Sequence, residues 1–376
     1  MSWSKVALGD VLRHRKEFIT IDDDCAYRRC RVQTSARGIV LRDTLQGADI
    51  KTKAQQVCRA GEFLVAEIDA KMGGYGLVPA ALDGAVVSSH YFLFAPDAAR
   101  LNAEYLNWYA KTPEFFAQVQ AVGSTNYAAI RPSHVLDYAI PLPPLDEQRR
   151  IVARLDAAAT AVAAWRSGAG AVEAEVIATL RAAFTCITAD ATRARMGDIA
   201  PLVRRPVPIE PEATYPELGV RSFGRGLFVK PDLTGAELTW QSLFRIEAGD
   251  LVFSNIKAWE GAFAVAEAEH HGKHGSHRYL TCVPDPDRAT APFLWFYLQS
   301  EQGLLQISQA SPGSADRNRT FATKRMAAIT VPTPSLDAQL WFDRLQTKAR
   351  AARAAQTGIA THVDRLLPAM LHELFS

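Results

Sequence analysis

The chain has 376 residues, 48% of them hydrophobic and 22% charged, with a net charge of +2 at pH 7. This composition supplies a core for two or so domains, excludes a disordered chain, and holds no ~18-residue apolar run of the kind that spans a membrane. Five cysteines without framework spacing and the polar start Met1-Ser2-Trp3-Ser4-Lys5 point to a reduced, cytoplasmic protein without a signal peptide.

Residues 1–140 carry short β-rich runs punctuated by Gly and Pro, among them Glu62-Phe63-Leu64-Val65-Ala66 and Tyr91-Phe92-Leu93-Phe94. An aromatic-rich helical segment is predicted over 102–121. Together these predict an α/β (α+β) domain with short strands rather than a βαβ ladder. Residues 141–190 are different material, rich in Glu, Arg, Ala and Leu. The apolar positions Ile151, Leu155, Ala158, Val162, Trp165, Ala169, Val172 and Val176 alternate spacings of four and three, which is a heptad seam. Pro143 and Pro144 suit the first turn, where no N–H is needed, and Asp146 and Glu147 suit the positive end of the helix dipole. Gly168 and Gly170 predict a weak or kinked point.

The same order then returns. Gly9-Asp10 answers to Gly197-Asp198, Arg37-Gly38 to Arg225-Gly226, and Ala60-Gly61 to Ala248-Gly249, all 188 residues on. Past Gly123 the second copy gains three residues, and Ile140-Pro141-Leu142-Pro143 matches Val331-Pro332-Thr333-Pro334 at 191. Residues 191–331 thus repeat the domain, with a helical segment over 291–308. Residues 332–376 repeat the long helix, through Leu345, Ala349, Ala352, Ile359, Val363, Leu366 and Met370. Two copies at this period are too few for a solenoid. A helix of ~40 residues is ~60 Å long, and neither can hide its stripe alone, so an antiparallel coiled coil of the two is expected.

The chemistry-bearing motifs are mostly absent. There is no Asn/Asp-Pro-Pro-Tyr/Phe methyltransferase tetrapeptide, no phosphate-cradling Gly-x-x-x-x-Gly-Lys-Ser/Thr loop and no nucleophile elbow. Gly73-Gly74-Tyr75-Gly76 reads as a flexible turn. His270-His271-x-x-His274-x-x-His277 has metal-compatible spacing, but its Gly- and Lys-containing setting reads as a mobile basic loop, with no metal expected.

Groups suited to reading DNA are present in both halves. In the first they are Arg28, Arg29, Arg31, Lys51, Lys53, Lys71, Tyr75 and the run Ser124, Thr125, Asn126, Tyr127. In the second they are Arg221, Arg225, Asn255, Lys257, Trp259, His274, His277, Arg278, Ser314, Arg317, Asn318 and Arg319. Each alone is more often a solvated surface group than a base contact. Divergence at Glu67/Asn255, Asp69/Lys257 and Lys71/Trp259 suggests that the halves read different bases. Trp108-Tyr109 and Trp295-Phe296-Tyr297 recur at one repeat position and read as core.

The segment Ile140-Pro-Leu-Pro-Pro-Leu-Asp-Glu-Gln-Arg-Arg-Ile-Val-Ala-Arg-Leu-Asp156 resembles the junction in specificity subunits of type I restriction–modification enzymes. Val331-Pro-Thr-Pro-Ser-Leu-Asp-Ala-Gln339 looks like a degraded second example, with Ala338 where glutamate is expected. Leu180-Arg-Ala-Ala-Phe184 and Leu371-His-Glu-Leu-Phe375 look like the family's closing segments. The resemblance implies two target-recognition domains, 1–140 and 191–331, each reading half of a bipartite double-stranded DNA target. The helices 141–190 and 332–376 would serve as the spacer. It also implies two DNA-adenine methyltransferase (M) subunits using S-adenosylmethionine, and restriction/translocase (R) subunits using ATP and Mg. The chain itself would carry no cofactor and no catalytic centre. Partner docking is assigned to Pro143, Pro144, Glu147, Gln148, Pro334 and Gln339. Two rivals stay open: a DNA-modifying or cleaving enzyme with an unrecognised active site, and a coiled-coil interaction protein with no nucleic-acid role.

Overall fold

The run Phe63–Ala66 alternates its side chains between two cores, as a strand with a two-residue period must. Phe63 and Val65 join one core and Leu64 the other. The strand lies inside a four-stranded antiparallel sheet ordered Leu12–Arg15, Tyr91–Pro96, Phe63–Ala66, Tyr75–Leu77. One face packs on helices α1 (Ala103–Tyr109) and α2 (Pro113–Gln120) through Tyr105, Tyr109 and Phe115. The other face meets Cys30, Ile39 and Val87 of a five-stranded sheet ordered Phe18–Thr20, Ala54–Val57, Val86–Val87, Ala26–Gln33, Gly38–Gln46.

This computed structural model describes residues 3–120, 129–238, 242–313 and 319–375. They fall into two units, residues 1–170 with 356–376, and residues 171–355. The first unit is completed by a strand pair, Lys5–Ala7 with Ala139–Pro141, by α3 (Pro132–Asp137), and by the first part of α4 (Leu145–Thr188).

The second unit repeats the plan. Leu251 and Phe253 face one core, Val252 the other, in a sheet ordered Phe263–Val265, Leu251–Ser254, Tyr279–Cys282. Helices α5 (Met196–Ile199), α6 (Ala291–Leu298), α7 (Glu301–Gln309) and α8 (Thr323–Ala327) follow, then α9 (Leu336–Phe375). The equivalent of the five-stranded sheet is broken into smaller pieces, including the pairs Thr214–Tyr215 with Leu233–Thr234 and Leu218–Val220 with Leu227–Val229. Pro216 and Pro231 sit in the gaps, and a proline removes a ladder donor. Each aromatic helical segment is also two helices. Pro113 opens α2, and Ser300 caps α7 by accepting from Gly303 N at 3.2 Å.

In the first unit α4 and α9 lie antiparallel: Arg154 meets Glu373, Arg166 meets Asp364, and Ala169 O accepts from Gln356 Nε2. Phe375 packs on Tyr105 and Tyr109, with ring centroids 5.1 and 5.4 Å away. In the second unit Arg353 pairs with Glu173, and Phe184 stacks on Phe293 and meets Phe342. Helix α4 runs through Gly168 and Gly170 without a break. Val172, Ile359 and Leu366 of the expected seam are 52%, 51% and 43% exposed, so the stripe is covered only in part. An α-helix drifts ~20° per heptad from a 3.5-residue repeat, which carries such positions off the contact line.

Candidate nucleic-acid interface and helix junctions

The junction glutamines are not on the surface. Gln148 is 0% exposed; its Oε1 accepts from Asn102 N at 2.8 Å, and its Nε2 donates to Arg100 O and Pro143 O. Gln339, also 0% exposed, repeats this with Thr290 N, Arg288 O and Pro334 O. Asn102 and Thr290 are the N-caps of α1 and α6. The docking role expected of Gln148 and Gln339 is therefore corrected: each is an internal clamp joining a long helix to its domain. Pro143 is buried with it, and Pro334 is half-buried. Pro144 is exposed, and Glu147 pairs with Arg150, so these two remain at the surface. The Glu147/Ala338 difference falls at a half-buried position next to the clamp, where Glu147 pairs with Arg150 on its own helix.

A second shared network links α1 to α2 and α6 to α7. Gln118 bonds Tyr109 Oη and both backbone groups of Ala139, and Gln306 does the same with Tyr297 and Thr330.

In the first unit's candidate interface, Arg28, Arg31 and Lys51 are exposed, with Arg28 donating to Ala81 O and Asp83 O. Arg29 forms a two-point pair with Asp43, which holds that carboxyl below its ordinary range. Lys53 pairs with Asp23. Tyr75 and Lys71 depart from expectation, being 2% and 5% exposed. Tyr75 packs on Phe63 and Phe115 in the core, so it is a structural residue rather than a DNA contact. The turn before it is buried too. Gly73 has φ +78, and its backbone approaches Ser35 and Ala36 so closely that a Cβ would clash. Ser124, Thr125, Asn126, Tyr127, Ser314, Arg317 and Asn318 lie outside the described residues.

The second unit gathers several predicted residues. Asn255 O accepts from Phe321 N, which brings 319–321 beside 255–259. Arg319 lies 4.6 Å from the Trp259 ring centroid and is held by Ser308 and Ser311. Lys257 stands 5.6 Å from the same ring and bonds Glu260, whose carboxyl this lowers. Among the described residues, Asn255 Oδ1 and Trp259 Nε1 are buried without a hydrogen-bond partner. An unmet buried acceptor and donor are costly, so a group that bonded both would be stabilised here. Arg221 and Arg225 are exposed, stacked over Phe228 and Phe223.

His277 and Arg278 are exposed, while His274 lies in the strand His274–Ser276 against Tyr215. His270 is 6% exposed and caps its own turn through Glu267 N. The histidine segment is thus sheet and turn, not a mobile loop. Among the described residues no three His, Cys, Asp or Glu side chains converge as a metal site. Sequence reasoning missed Phe223, 72% exposed with φ +62 at a loop tip between the two arginines. Its place in the repeat is that of Ser35, also at positive φ, and that alignment was the available signal.

No family profile matches the sequence, and no curated protein does. Solved structures do match over the whole chain. The HsdS subunit from Thermoanaerobacter tengcongensis is 20% identical, with a TM-score of 0.62 over 100% of this chain and 96% of that one. A chain from a structural study of complex assembly and conformational transition in the type I R-M system is 20% identical, with a TM-score of 0.70 over 100% and 97%. The type I restriction-modification S subunit from M. genitalium is 13% identical, with a TM-score of 0.53 over 100% and 96%. The chain therefore has the mixed α/β fold of type I S subunits. Among the described residues no helix is long and apolar enough to cross a membrane.

Proposed function

We propose that the chain is the DNA-specificity subunit of a type I restriction–modification complex. The observation that carries this reading is the whole-chain likeness to S subunits, together with two units of one design whose clamps match and whose surface loops differ. Each unit would read one half of a bipartite double-stranded DNA. Helices α4 and α9, as an antiparallel coiled coil, would set the spacing between the halves. Two adenine methyltransferase subunits would supply S-adenosylmethionine chemistry, and restriction subunits the ATP- and Mg-dependent step. The chain itself contributes recognition and assembly, not catalysis.

The test mixes the purified chain with type I methyltransferase subunits, S-adenosylmethionine and a DNA library. Sequence-specific adenine methylation should require both proteins. Methyl transfer by the single chain, or methylation by the mixture without sequence preference, overturns the reading.

A further inference from the structure

Arg29 and Glu217 stand 188 residues apart at one position of the repeat, and the backbone register shows that they are structurally equivalent. Arg29 makes the parallel pairing with Val86 in its unit. Glu217 makes a parallel bridge with His274, again 188 residues on. Each lines a cavity, of about 340 Å³ in the first unit and about 220 Å³ in the second. Three more wall residues correspond at the same offset: Arg42 with Lys230, Ser88 with Ser276, and Tyr91 with Tyr279. The cavity is therefore a feature of the scaffold, present in both copies. Among these four matched positions the charge reverses only at Arg29/Glu217.

The two residues offer opposite chemistry. Arg29 commits Nε and Nη2 to Asp43, leaving Nη1 as a donor with no partner among the described residues. Glu217 is 4% exposed, and its Oε1 accepts from Lys230 Nζ at 2.8 Å. Lys230 meets the charge, and the second carboxylate oxygen has no partner among the described residues, so it stands as an acceptor in the cavity wall. Exposed cations line both cavities, Arg42 (paired with Asp43) and Lys51 beside Asp49 in one and Arg278 in the other. Such cations suit a phosphate backbone.

We propose that these equivalent cavities are base-reading sites, set to opposite hydrogen-bond polarity by Arg29 and Glu217. This rests on the DNA-recognition reading above. The first unit takes an acceptor edge, for which guanine O6 and N7 are the match to arginine. The second takes an exocyclic amine, cytosine N4 or adenine N6, as a carboxylate requires. One duplicated pocket would thus serve two different half-sites through the charge reversal at this matched position.

The test uses the full chain assembled with its methyltransferase subunits, and sequences the sites methylated in a randomised DNA library. Glu217→Gln should cut the base preference at one position of one half-site by ~10-fold or more, leaving the other half unchanged. Arg29→Gln should do the same in the opposite half. The identity of the affected bases separates cytosine from adenine. If Glu217→Gln fails to fold, the double variant Glu217→Met with Lys230→Met removes the charge pair together, which often preserves stability. It should show the same local loss of preference. Folded variants that methylate the wild-type sequence with unchanged preference overturn the cavity assignment but leave the specificity-subunit reading intact. A wild-type assembly without any sequence preference overturns that reading instead.

Discussion

Gln148 Oε1 accepts a hydrogen bond from Asn102 N at 2.8 Å, tying the first turn of the long helix α4 to the N-cap of α1. Gln339 and Thr290 repeat the bond at 3.1 Å in the second unit. At both junctions the glutamine meets three backbone groups, two of them in the loop that leads into the aromatic helix. Its neighbour Glu147 has no such duty, and Ala338 replaces it in the second copy.

Gln148→Leu should therefore destabilise the first unit by about 3 kcal/mol, from stranded backbone groups at ~1–3 kcal/mol each. Glu147→Ala should change stability by less than ~0.5 kcal/mol, as an exposed pair does. Denaturant unfolding of both variants checks the contrast, and equal effects would contradict the clamp.

Phe375 and Phe184 close the two helices onto aromatic cores. Phe375→Ala should cost ~3–5 kcal/mol, the usual range for a buried aromatic. Hydrogen exchange should show the loss in residues 103–120 and 356–375. Protection unchanged there would mean that the helix end is not part of that core.

Trp259→Phe keeps an aromatic ring beside Arg319 but removes the indole N–H, which has no partner among the described residues. Stability should hold or rise slightly, since a buried donor is deleted. Affinity of the assembled complex for its target should fall about 10-fold if DNA meets that donor. A melt and a titration on the same variant separate the two effects.

Burial holds His14 and His274 below the ordinary histidine value of 6.5, with Lys16 adding to the effect on His14. Both stay neutral in the fold at pH values where the unfolded chain takes up protons. Their contribution is full above 6.5 and declines as pH falls from there towards the folded values. Melting temperature should drop between pH 7 and pH 5, and the double variant His14→Gln, His274→Gln should flatten that slope. A slope unchanged by the double variant would place the effect elsewhere.

The aromatic positions and the short strands were legible because each is a local pattern. Phe63 and Val65 alternate with Leu64, and the recurrence of Tyr109 at Tyr297 already marked a shared core. The breaks before Pro113 and at Ser300 were less visible, since a helical period continues across them. Candidate surface residues were harder still. Nothing local distinguishes Tyr75, buried in the core, from a tyrosine at an interface, and Glu217 belongs to no cationic cluster.

By itself the sequence determined the duplication, the long helices and the recurring aromatic core positions, because periodicity and repeat spacing are carried by neighbours along the chain. Only the tertiary structure decided what the matched residues do. Gln148 became a clamp and Tyr75 a core ring, and Arg29 and Glu217 became walls of equivalent cavities. Burial and hydrogen-bond partnership are set by residues tens of positions away, and no local pattern records them.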